Sequence, residues 1–209
     1  MAIAFDASSS GIASATSVTF SQTCTGSDLV LVVNAYVKGD NISSVTYNGV
    51  AMTQVAAETS GNPRVYTYVL IGPATGTHNV VVTGGASAVV TGGSAISFSG
   101  ATGGYSATGS STGSSTSASL TINTNKQTGF VVAGYGSANA GVPTYTGGGT
   151  QYGVQTSSND RIRSAYEAFT GGADKTETWS IDAIVTWRIT GVEVYELGAT
   201  GGFFLAAAR

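Results

Sequence analysis

The sequence predicts an all-β protein: an antiparallel β-sandwich, jelly-roll-like and internally duplicated. Three observations predict it. Short alternating or apolar runs recur at roughly ten-residue spacing between turn signals, and the helices that parallel crossovers need are missing. Charged residues are only 9% of the 209, while Gly numbers 30, so the water-facing side chains must be mostly Ser, Thr, Asn and Gly. Finally, Gly100-Ala101-Thr102-Gly103-Gly104-Tyr105 returns as Gly198-Ala199-Thr200-Gly201-Gly202-Phe203, 98 positions later.

The repeat extends beyond that hexapeptide. An offset of 98 also joins Tyr47 in VTYNG to Tyr145 in PTYTGG, Tyr68 to Tyr166, and Ile96 to Val194. LVVNAY (31–36) matches FVVAGY (130–135) at 99, which places a one-residue difference in the loop near Lys38 to Asn41. Character rather than identity is kept, as preserving one core face requires. The copies divide as 1–105 and 106–209. Ser106 to Ser119, rich in Ser, Thr and Gly, reads either as a linker between two beads or as a long connection across one body. A single body of two interlocked halves is the preferred reading.

In chain order, Ile3 to Phe5 is a first short strand, followed by a small-residue segment through Ser14. Ser17 to Thr23 alternates and reads as a half-buried strand. Leu29 to Val37 is continuously apolar and β-branched, which predicts a strand covered on both faces. Ser44 to Tyr47 and Ala51 to Ala57 are joined by Asn48-Gly49, the dipeptide suited to a two-residue hairpin. After the turn at Gly61-Asn62-Pro63 come Arg64 to Ile71, His78 to Thr83 and Ala95 to Ser99, and the Gly-Gly pairs of VTGGSAISFSG read as turns. The second copy resumes at Ser119 to Thr124. It continues through Gly129 to Tyr135, Thr144 to Thr146, Gln151 to Gln155, Arg163 to Phe169, Thr176 to Ile181, Ala183 to Ile189 and Val192 to Leu197. Only Phe203 to Arg209 has appreciable helix propensity.

The inventory speaks against most chemistries. A net charge of −3 with eight scattered Lys and Arg gives no basic field for nucleic acid. The start lacks a Sec-type signal pattern, and no stretch approaches the roughly 18 apolar residues of a membrane helix. His78, the one histidine, reads as a strand-edge side chain, and Cys24, the one cysteine, as a small apolar residue. One His and one Cys are too few ligands for zinc, and no DxDxDG-type calcium loop is present. Asp174, Glu177, Asp182, Glu193 and Glu196 cluster in the second copy and read as a solvated strand face rather than a paired-carboxylate site. No catalytic, metal or cofactor residue is therefore expected. Two weaker candidates for binding remain. Tyr145, Tyr152, Trp179 and Trp187 offer rings for sugar stacking, with a core position favoured for Trp179 at the Val81 equivalent. The dense charge cluster Asp160-Arg161-Ile162-Arg163 reads as an exposed loop or strand entry, with Arg161 and Arg163 as candidate subunit contacts, joined by the apolar Phe203, Phe204 and Leu205.

VTYNGVAMTQV, RVYTYVLIGPATGTHNVVVTG and AISFSGA together resemble a recurrent β-sandwich pattern of bacteriophage virion proteins and bacterial surface proteins, over about Asp28 to Ala101 and more faintly in the second copy. The chain departs from it where Tyr68 replaces a usual Trp. The resemblance implies a non-enzymatic virion part, a capsid decoration or fibre-type protein, oligomeric and partnered by itself, by a major capsid or tail protein, or by a host-surface glycan. It implies assembly in the host cytoplasm and a place in the released particle. A glycan-binding or adhesive module, or a filament subunit, is the alternative.

Overall fold

The computed structural model describes residues 2–124, 126 and 128–197. Among these the chain is strand throughout its regular structure, and every pairing is antiparallel. The strands are β1 (Ala4–Ala13), β2 (Ser17–Cys24), β3 (Val30–Lys38), β4 (Ile42–Tyr47), β5 (Val50–Ala51), β6 (Thr53–Glu58), β7 (Arg64–Ile71), β8 (Gly76–Gly84), β9 (Val90–Ser99), β10 (Gly104–Ile122), β11 (Thr128–Ser137), β12 (Pro143–Tyr145), β13 (Thr150–Ser157), β14 (Asp160–Thr170) and β15 (Lys175–Tyr195). The hairpin at Asn48-Gly49 forms as its sequence demands: both residues have positive φ, 49° and 76°, and Tyr47 pairs with Val50.

The duplication is visible in the sheet order. The first half runs β1-β9-β3-β7-β6 with a second sheet β2-β8-β4-β5; the second half runs β10-β15-β11-β14-β13, with β12 on β15. Central β3 thus answers to β11, and the edge strands β1 and β10 occupy the same place. Tyr47 lies opposite Val80, and Tyr145 opposite Trp179. A cross-strand hydroxyl pair also recurs, Thr23 with Thr77 at 2.8 Å and Thr121 with Thr176 at 2.7 Å. Trp179 consequently stands at the Val80 position, not that of Val81; both Val80 and Trp179 are fully buried.

Two of the sequence alignments are corrected by one residue. Leu31, Val33 and Tyr68 face the core inside the first half, whereas Phe130, Val132 and Tyr166 face the core shared between the halves. Since a slip of one residue turns a side chain to the opposite face, these cannot be equivalent. Ladders and facing together match Val33 with Val131 and Tyr68 with Glu167, which are paired in their own ladders. The offset of 98 therefore holds through β11, and the extra residue lies between β11 and β14, not near Lys38.

Three apolar clusters explain the layering. One lies between the two sheets of the first half and gathers Leu31, Val33, Val45, Tyr47, Tyr68, Val80 and Val82. Its counterpart in the second half gathers Leu120, Ile122, Val131, Tyr135, Phe169, Trp179 and Ile189, enclosed where β10 and β15 run on from one layer into the next. The third joins the halves: Val30, Val32, Val69, Ile96 and Phe98 meet Val132, Tyr152, Val192 and Val194. Phe98 stacks on Phe130 across it, 4.7 Å between ring centroids. β3 is buried on both faces, which is why its run from Val30 to Val37 is apolar at every position but Asn34. Polar groups at this seam are paired across it: Thr67 with Thr190 at 2.8 Å, and Asn34 Nδ2 donating to Tyr152 Oη at 3.2 Å.

Several local expectations change. Ser106 to Ser119 is neither linker nor loop; it is most of β10, alternately facing the core and water against β15. The small residues through Ala13 belong to β1, paired with β9. Three expected strands after Lys175 merge into β15, whose register breaks between Ser180 and Val185 where β10 spends only Thr116, making a corner. Gly92-Gly93 is no turn but lies inside β9, where a Cβ on Gly92 would come within 2.3 Å of Ile162 Cδ1.

Candidate functional site

At the start of β14 the sequence places Asp160, Arg161 and Arg163 where the end of β3 meets the second half. The cluster is not exposed, as its charge suggested: Asp160, Arg161 and Arg163 retain 2%, 9% and 6% of their surface. Backbone carbonyls make this burial possible. Arg161 Nη1 donates to Ser158 O at 2.7 Å and its Nη2 to Ala140 O; Arg163 Nη1 donates to Gln155 O at 2.7 Å and Ile162 O at 2.8 Å. Asp160 is engaged elsewhere, accepting from Tyr36 Oη and lying 3.4 Å from Lys38 Nζ. Burial and then Arg161 push the Arg163 pKa below its ordinary value.

Lys38, Arg64, Arg161, Arg163 and Arg188, five of the chain's eight Lys and Arg, thus collect at this end of the two stacked sheets. Among the described residues, no carboxylate lies within ion-pair distance of Arg161, Arg163 or Arg188. Arg188 Nε and Nη1 are buried with no hydrogen-bond partner there.

Arg163 opens onto a cleft of about 350 Å³ lined by Pro143, Thr144, Tyr145, Gln151, Val154 and Arg163. β12 supplies one wall and β13 the other. A bulge between Tyr152 and Gln155 turns Val154 outward, leaving it 52% exposed. The Tyr145 hydroxyl donates to Glu177 Oε2 and accepts Gly149 N–H at 3.0 Å, so this phenol fixes the loop between the walls. The side-chain oxygen of Gln151 is buried without a partner.

Glu177 and Glu193 correct the expectation of a solvated acidic face, because both are fully buried. Glu177 points inward on β15 beside Trp179. Burial pushes its carboxyl up to about 7, the Tyr145 hydrogen bond and Lys175 opposing, and its Oε1 lacks a partner. Glu193 instead accepts Ala107 N–H and Lys126 N–H at 3.2 Å each.

The proposed ring platform does not form. Trp179, Trp187 and Tyr152 retain 0%, 7% and 7% of their surface and are core residues; only Tyr145 reaches the cleft. Arg163 and Tyr145 are therefore brought together, while Arg161 is held apart by its own carbonyl partners. Phe203, Phe204 and Leu205 lie outside the described residues. Gln151 and Thr144 complete the cleft and were not singled out, because a bulge and a pair of facing walls leave no periodic mark; Glu177, expected on a solvated face, instead lies buried against Tyr145.

Chemically the arrangement offers a cation, an amide and an aromatic ring, groups suited to holding a polar ligand. His78 packs its ring edge-on to Tyr47 and meets Thr75 O at 3.1 Å, and Cys24 is a buried thiol whose pKa burial raises. Among the described residues no group of three or more His, Cys, Asp or Glu is placed to hold a metal. No known protein family, curated protein or solved structure matches the chain.

Proposed function

We propose that the chain is a non-enzymatic structural component of a bacteriophage virion, a capsid decoration or other outer particle protein that acts through subunit contacts. The observation that carries the reading is the pairing of a deeply layered core with uncharged outer faces. Ser17, Thr19 and Ser21 on one outer sheet, and Ser117, Ser119 and Thr121 on the other, are all exposed. Such surfaces hold their shape through packing and offer hydroxyls for many repeated contacts without long, mobile charged side chains. Mass spectrometry of purified particles from an infected host tests it: stoichiometric recovery with the shell supports the reading, and absence from the particles contradicts it.

A second reading, a glycan-binding or adhesive module, is favoured by one feature, the Arg163 cleft.

A further inference from the structure

We infer that the cleft between β12, β13 and β14 binds a carboxylate-bearing sugar unit, with Arg163 as its anchor. This deepens the glycan-binding reading and does not depend on placement in a particle.

The argument begins with an anomaly. Buried charges are ordinarily paired, because desolvating an isolated ion is costly. Arg163 is nine-tenths buried, its neighbour Arg161 carries the same sign, and no carboxylate among the described residues is within ion-pair distance. Two backbone carbonyls take Nη1, yet they supply partial charge only, and neither Nε nor Nη2 has a hydrogen bond to a described residue. The guanidinium lines an open cleft instead of closing on a partner. An anion from outside would complete it, and a planar guanidinium suits a carboxylate through paired N–H donors.

The other walls select the kind of carboxylate. Thr144 and the side-chain amide of Gln151, whose oxygen lacks a partner, offer hydroxyl-matching groups, while Pro143, Val154 and the Tyr145 ring supply apolar surface. A pyranose has hydroxyls at its rim and an apolar face, so a uronic-acid unit matches both sets. At about 350 Å³ the cleft takes one such ring. The cations Lys38, Arg64, Arg161 and Arg188 lie at the same end as Arg163, and the carboxylates that border the cleft are already engaged: Glu177 by the Tyr145 hydroxyl, Glu167 by Lys175 and Asp182 by the Val142 N–H.

The test titrates the full chain with methyl galacturonoside by calorimetry and by amide chemical shifts. The controls are its methyl ester, methyl galactoside, and acetate. Saturable binding with Kd of about 1–10 mM is expected, typical of one small contact set, with each control at least about tenfold weaker. Arg163→Met should lose binding about tenfold or more, Arg163→Lys less, and Gln151→Ala a few-fold with the melting temperature preserved. Shifts should centre on residues 143–145, 151–154 and 163. Absence of saturable binding, equal binding of the neutral sugar, acetate as tight as the uronate, or a Gln151→Ala variant that binds like the wild type would each overturn the inference. Particle proteomics is unaffected by any of these outcomes, so the virion reading stands or falls separately.

Discussion

Glu177 shows how one substitution between repeats changes the chemistry of a position. Its first-half counterpart is His78, half-buried beside Tyr47; in the second half the same inward place holds a carboxyl against Tyr145, facing Glu167 and Lys175, which pair with each other at 2.8 Å. Burial raises its pKa to about 7 from 4.5, so the folded state binds this proton more tightly than the unfolded chain does. The sign follows: between about pH 4.5 and 7 the folded form holds more protons, and stability falls as pH rises through that window. The full loss is on the order of 3 kcal/mol from a shift of that size. Urea melts at pH 5 and pH 8 should therefore show a steeper decline for the wild type than for Glu177→Gln, which keeps the shape and the hydrogen bond without the ionisation. Parallel declines would mean that Glu177 does not titrate in the folded protein. The buried tryptophan beside it gives a second residue-scale expectation: Trp179→Ala should cost about 3–5 kcal/mol, because the site is enclosed and cannot collapse.

Among the elements, β11 illustrates why two sheets approach as they do. A Cβ on Gly134 would lie 2.4 Å from Asn34 Cβ, and one on Gly136 would lie 2.6 Å from Val65 Cγ2. Glycine in FVVAGYG is thus a requirement of the facing sheet and not of the strand's own backbone. Gly134→Ala should lower stability by about 1–3 kcal/mol by overpacking the seam, read as a shift in the urea midpoint; no change would show that the seam is looser than described. β10 yields a kinetic expectation: paired with β15 along its length, it should resist limited proteolysis between Ser106 and Ser119.

These elements also show what sequence could and could not reveal. The doubly covered β3, the Asn48-Gly49 hairpin and the Tyr47–Tyr145 repeat were legible, because burial, turn geometry and a retained aromatic each leave a local mark. The register of β11 and β14 was not: in a strand apolar on both faces, FVVAGY matches LVVNAY best at the offset that points every side chain the wrong way. β10 looked like a linker because an edge strand's water-facing side and its glycine-lined inner side are both small and polar. The burial of Asp160 to Arg163 left no mark for a different reason: the acceptors of Arg161 and Arg163 are backbone carbonyls, most of them in the same β13–β14 hairpin, and a carbonyl is present at every residue whatever its side chain.

For the whole molecule, two repeats of one topology are joined through a core that neither completes alone. Val30, Val32, Ile96 and Phe98 would face water without the second half, and Val132, Val192 and Val194 without the first. In the virion reading, Phe203, Phe204 and Leu205 supply a contact to a neighbouring subunit. Removing residues 203–209 should then abolish incorporation into particles while leaving the chain soluble, and unchanged incorporation would exclude that role. The shared core itself is tested most directly by scanning calorimetry of the intact chain, with the van't Hoff enthalpy compared against the calorimetric one. One transition with the two enthalpies equal is the predicted result. Two separable transitions, each accounting for about half of the heat, would contradict it.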